Sequence, residues 1–182
     1  PLLGHDYFYF MPRLLVGKWH VLAQGIAPLR WAPQLCGGFP VYGNPHDVFY
    51  SLPQALSLFL DLWTAVQLSV LAALVAGYIG WYRFGKRVLH LWSPWAHVLA
   101  LVILSNGYTF MHMMAGHLSF STLPLMGWFL LLMFGEREKN LRQWIMSSAV
   151  FALLTATILH SGGHMVLLLI AIDPWLRRLP YA

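Results

Sequence analysis

From about Leu56 onward, apolar residues come in successive stretches, each closed by a short polar or basic cluster. The first occupies about 56–82 and ends at Arg83, Lys86 and Arg87. A second covers about 94–106 and stops at the turn signal Asn106-Gly107. A third, about 118–134, closes at Gly135 and the Glu136-Arg137-Glu138-Lys139 turn, and a fourth, about 144–160, is broken by Ser161-Gly162-Gly163. The last stretch, about 164–176, is too short to cross a hydrocarbon core ~30 Å thick at ~1.5 Å per residue unless it is tilted or re-entrant. The pattern predicts an all-α integral membrane protein with four to five transmembrane helices.

Residues 1–55 are patterned differently. They hold no apolar run long enough to span and are rich in Pro, Gly and aromatic side chains, which predicts an extracytoplasmic loop lying at the membrane face. Within it, Tyr7 to Gln24 has the spacing of an interfacial helix, with Arg13, Gly17, His20 and Gln24 on one stripe and Leu14, Leu15, Val21 and Leu22 elsewhere. Pro12 suits the first turn of such a helix. Gly25 to Tyr50 reads as a structured loop, with Trp31 and Tyr42 as aromatic anchors near the headgroups. The chain thus divides into a first loop with a juxtamembrane helix (1–55) and a helix bundle (56–182). It opens on Pro1, Leu2 and Leu3 with no basic region and no cleavage site, so a preceding segment is expected.

Composition narrows the class further. Of 182 residues 59% are hydrophobic and 9% charged, with a mean hydropathy of +0.62, against about 25% charged in soluble domains. These values exclude a soluble enzyme, and 15% aromatic content excludes a solvated disordered chain. The net charge of +5 invites a nucleic-acid reading, but the basic residues cluster at the ends of apolar runs. Such placement is what the positive-inside rule produces, so the basicity reports orientation, with anionic lipid as partner and no nucleic acid. Cys36 has no second cysteine to pair with and is read as a small structural hydrophobe.

Histidine placement is the most uneven feature. In this topology His5, His20, His46, His112, His117, His160 and His164 all fall at the outer side, with Asp6, Asp47 and Asp61. Ionisable groups near a bilayer are costly and mark sites or water-filled cavities. Asp6 is the sharpest candidate, an acid entering an aromatic segment, where a carboxylate can take a proton from an alcohol or hold a divalent cation. Its structural alternative is an N-cap. Asp6, Arg13 and His20 recur every seven residues and would share a helix face. Asp6, His46, His112 and His117 are expected to converge on one outer pocket. The pairs His112-x4-His117 and His160-x3-His164, with Met111, Met113 and Met114 nearby, also fit a His-rich metal or haem protein. Phosphate-binding, nucleophile-elbow and zinc-protease motifs are absent.

The order of several short motifs resembles a known family. Asp6, then Gly25-Ile-Ala-Pro28-Leu-Arg-Trp31-Ala-Pro33, Gly37-Gly38-Phe39-Pro40-Val-Tyr42 and Phe49-Tyr50-Ser-Leu-Pro53 resemble the first extracytoplasmic loop of bacterial YfhO-type membrane proteins of the GT-C glycosyltransferase superfamily. Ala115-Gly116-His117 with Leu123-Pro124, and His160-Ser-Gly-Gly163-His164, resemble later segments of the same family. The resemblance implies a fragment of a larger bundle in the bacterial cytoplasmic membrane, with one helix before Pro1 and several after Ala182. It implies transfer of a sugar from a polyprenyl-phosphate donor to a hydroxyl of a glycan, lipid or protein acceptor at the outer face. Asp6 would be catalytic, and Arg13, His20, Arg30, His46, Asp47, His112, His117 and His164 would bind substrate, with Lys18 a further cation for the leaving phosphate. Many relatives carry a second acid in a later outer loop, and residues 106–117 have none, leaving His112, His117, Asp47 or an acid from the rest of the expected larger bundle to replace it. A divalent cation, Mg or Mn, stays open as a cofactor. A non-catalytic lipid-linked-sugar binding or transport protein would share the same features.

Overall fold

The computed structural model describes residues 4–41, 44, 48–135 and 141–160. Helix α1 (Tyr7–Gln24) leads into a two-stranded antiparallel hairpin, β1 (Trp31–Ala32) and β2 (Phe39–Pro40), with Trp31 paired to Pro40. Short α2 (Leu52–Ser57) precedes the long α3 (Leu62–Arg87). Then come α4 (Ser93–Leu104) and α5 (Gly107–Ala115), two 3-10 turns (Leu118–Phe120 and Leu123–Leu125), α6 (Met126–Phe134) and α7 (Leu141–His160).

The sequence-drawn stretches shift in instructive ways. The first splits: α2 ends at Ser57, and Asp61 starts α3 by accepting from the Thr64 N–H at 3.0 Å. From there α3 runs through Arg83, Lys86 and Arg87, since long basic side chains are good helix formers and carry their charge outward from an apolar stem. The second stretch continues past its turn signal, because Asn106 caps α5 by accepting from the Thr109 N–H at 2.9 Å. The third is helical only from Met126, its first part being the 3-10 turns around Pro124. Pro12 lies inside α1 rather than in its first turn. Two segments are long and apolar enough to cross a membrane, Leu62–Arg87 and Ser93–Ala115, the latter including the break at Ser105 and Asn106. Leu118–Phe134 and Ile145–His160 are apolar but shorter. The proposed span 164–176 lies outside the described residues.

Small residues set the helix packing. A Cβ on Gly77 would sit 2.6 Å from the Pro124 carbonyl oxygen, and one on Gly80 would sit 2.6 Å from the Trp128 ring, so α3 and the Pro124–Trp128 segment run side by side in the same direction at close approach. Trp128 donates its Nε1–H to the Ala76 carbonyl at 2.8 Å, and the Arg83 guanidinium lies 5.1 Å above the same indole. On the other flank α4 returns antiparallel, with Gly85 against Ala96 and Tyr82 hydroxyl 3.1 Å from Ser93. Phe129 meets Phe151 of α7 edge-on at 5.3 Å. What this packing leaves uncovered is apolar: Leu68, Leu71, Val75 and Ile79 form an exposed stripe on α3, and Trp95, Val98, Leu101 and Val102 an exposed face on α4.

At the Asp61 end α1 lies across the helices. Phe10 and Leu14 are buried with Val48, Val66 and Leu118. Gln54 donates to the Leu14 carbonyl at 3.2 Å, and Lys18 donates to the Leu60 carbonyl at 3.2 Å. The stripe of Arg13 and Gly17 therefore faces inward rather than to solvent, both residues being buried and Gly17 leaving room for the Gln54 amide. A second cluster, Val16, Leu29, Ala32, Val41 and Phe49, fastens the hairpin loop onto α1.

Candidate functional site

The site forms where the start of α1 docks on the end of α5. Gly116 closes α5 in the left-handed region at φ +89°, and a Cβ there would lie 2.6 Å from the Tyr7 nitrogen. Only glycine meets both demands. The resulting turn lets the Asp6 N–H donate to the Ala115 carbonyl at 3.2 Å and the Tyr7 hydroxyl donate to the Met113 carbonyl at 2.7 Å. Burial raises the Tyr7 pKa, which keeps the hydroxyl a donor across the physiological range.

Asp6 does not use its side chain as a cap. It is already helical in backbone conformation (φ −76°, ψ −16°) and its carboxylate makes no capping hydrogen bond. Instead Oδ2 lies 2.7 Å from Nε2 of His117. The Nδ1 of His117 in turn lies 2.5 Å from Nδ1 of His112. The His112 ring stacks on Phe120 with centroids 4.0 Å apart and planes 12° from parallel, and Tyr108 stands edge-on to it at 4.3 Å. In front of the carboxylate opens a cavity of about 430 Å³ lined by Asp6, Tyr9, Phe10, His117, Ser119 and Phe120.

Three residues singled out in the sequence thus meet: Asp6, His112 and His117. Arg13 and His20 share a helix with Asp6 but not this cavity, because seven residues of helix advance about 10 Å and fourteen about 21 Å. Arg13 lies 3.8 Å over the Tyr9 ring and 4.4 Å over Phe39, and His20 Nε2 is 2.9 Å from the Ala27 carbonyl, where it pins the loop after α1. Arg30 is exposed beside the hairpin, its carbonyl accepting from Val41. His46, Asp47 and His164 lie outside the described residues. Cys36, read from the sequence as a structural hydrophobe, is exposed at the hairpin turn with φ +51°. Met111 and Met114 are also exposed. No group of three His, Cys, Asp or Glu side chains among the described residues is arranged to hold a metal ion.

Tyr9, Ser119 and Phe120 were not anticipated as lining residues. Tyr9 is three residues beyond Asp6 on the same helix face, and Phe120 three beyond His117, so helical spacing from the two candidates was the available signal. Comparison of the chain with protein-family models, curated proteins and solved structures finds no match.

Proposed function

We propose that the chain is part of an integral membrane glycosyltransferase of GT-C type, with residues 1–55 outside the bacterial cytoplasmic membrane and four to five spans. The membrane reading is supported by the uncovered apolar faces of α3 and α4, which water would leave unsatisfied, and by basic residues gathered at Arg83, Lys86 and Arg87. The observation that carries the enzyme reading is the Asp6 carboxylate, released from capping and set at the mouth of an aromatic-walled cavity.

In the proposed reaction the acceptor hydroxyl gives its proton to Asp6 while its oxygen attacks the anomeric carbon of the donor. The carbon–oxygen bond to phosphate breaks, and the electron pair leaves on the polyprenyl phosphate. Tyr9 and Phe120 supply the apolar walls against which a sugar ring packs, and Ser119 a hydroxyl for hydrogen bonding.

The test is release of polyprenyl phosphate from polyprenyl-phosphate hexoses by membranes carrying the full-length protein. Asn keeps the size of Asp and an oxygen that can accept from His117 but cannot take up a proton at neutral pH, so Asp6→Asn should lower release by roughly 10²–10⁴-fold with normal membrane insertion. Release within about threefold of wild type would return Asp6 to a structural role, the loss being under ~1 kcal/mol. Donor binding without release by the wild-type protein would favour the lipid-linked-sugar binding reading.

A further inference from the structure

The chain of contacts from Asp6 through His117 to His112 fixes where its hydrogens sit. An ionised carboxylate only accepts, so the 2.7 Å contact requires a hydrogen on His117 Nε2. A neutral His117 then presents Nδ1 as an acceptor, and the 2.5 Å approach of the second ring requires that His112 carry its hydrogen on Nδ1. One added proton can be accommodated: His117 becomes an imidazolium donating at both nitrogens, and His112 turns to its other tautomer. A second added proton would set two N–H groups against each other and break the chain.

We propose that His117 is a positioning residue for Asp6, with His112 setting the tautomer of His117. The inference rests on the glycosyltransferase reading and goes beyond it by assigning the residues that aim the carboxylate. His117 holds Oδ2, leaving Oδ1 for the acceptor hydroxyl; among the described residues Oδ1 has no hydrogen-bond partner. Neighbours on α1, α5 and the 3-10 turn flank the pair, which is open to the cavity on its remaining side. From α1 the titratable groups are Asp6, Tyr7 and Tyr9; from α5, Tyr108; and the 3-10 turn contributes the stacked Phe120. Stacking on Phe120 and the edge-on contact with Tyr108 orient the His112 ring, so that its Nδ1 faces Nδ1 of His117.

Two measurements test this. In the full-length protein in nanodiscs with ¹⁵N-labelled histidine, long-range ¹H–¹⁵N spectra in mildly alkaline buffer should show His117 protonated at Nε2 and His112 at Nδ1. Asp6→Ala should return His117 to a mixture of tautomers. Nδ1–H on His117, or the same tautomer in Asp6→Ala, would overturn the hydrogen-bond chain. In the release assay, His117→Ala should lower kcat by roughly 10- to 100-fold with little change in KM, as expected for a misaimed group. His117→Gln, whose amide can donate where Nε2 did, should recover most of that loss. Equal losses in both variants, or a change confined to KM, would overturn the positioning role. If the wild-type protein released nothing from any donor, the functional reading and the positioning role would fall together, whereas the spectra would still decide the chain of hydrogens.

Discussion

The two ends of α3 are held by different physics. Toward Arg87 the helix meets its neighbours through Gly77, Gly80 and Gly85, with Pro124, Trp128 and Ala96 pressed against them. Around its Asp61 end, α3 adds Val66 to the apolar cluster of Phe10 and Leu14, and the elements gathered there are tied to one another by hydrogen-bonding groups: Gln54, Lys18, Tyr7, Asp6 and His117. Between helices surrounded by apolar solvent there is no hydrophobic drive to associate, so close backbone approach is what remains. Where polar groups gather, a cavity opens beside the Asp6 carboxylate. The close-packed end should therefore answer to added volume and the polar end to altered hydrogen bonding.

Added volume should give the largest effect on stability. Gly77→Val places a side chain against the backbone of Pro124, which cannot give way as a flexible side chain would, and should cost about 3 kcal/mol or prevent assembly. Thermal unfolding in detergent measures it, with Gly107→Ala as the control, since a Cβ at Gly107 meets nothing within 4 Å. Equal melting of the two variants would dissolve the contrast between the ends.

A smaller loss is expected at the break between α4 and α5. Asn106→Ala removes the acceptor for the Thr109 N–H and should cost about 1 kcal/mol. Because α5 carries His112, the same variant should lower release activity more than it lowers stability, while Asn106→Asp, which keeps the cap, should change neither much.

The smallest effect is a pH dependence at the start of α3. Hydrogen bonds from Thr64 lower the Asp61 pKa, so its cap stabilises the fold above the ordinary carboxylate range and loses that contribution as pH falls through it toward the lower folded value. Asp61→Asn keeps a capping oxygen and should flatten the acid side of the stability profile. An unchanged acid limb in this variant would mean that the carboxylate does not titrate with folding.

The sequence made the helices legible because apolar runs and caps are local. Helix α1 falls at Tyr7–Gln24, the bounds that its polar spacing suggests, and Asn106 marks a real break in the chain. Burial of Arg13 was not legible, since its partners Tyr9 and Phe39 come together only when the hairpin folds back. The role of Pro124 was hidden likewise, because a 3-10 entry to α6 shares the apolar composition of a continuous helix. For the site, Asp6, His112 and His117 stood out by type, but their order, carboxylate to imidazole to imidazole, depends on the left-handed turn at Gly116. Tyr9 and Phe120 looked like any aromatic residue until the turn brought them around the carboxylate.

In the proposed topology the two ends of α3 lie on opposite faces of a membrane, with the Asp6 site outside. Native Cys36, exposed at the hairpin turn, provides a direct probe. In intact cells a membrane-impermeant maleimide should label Cys36, whereas in a Cys36→Ser background a cysteine introduced by His90→Cys, in the α3–α4 turn, should label only after permeabilisation. Labelling of His90→Cys in intact cells, with Cys36 protected until the membrane is opened, would put the Asp6 site on the cytoplasmic side and overturn the proposed topology.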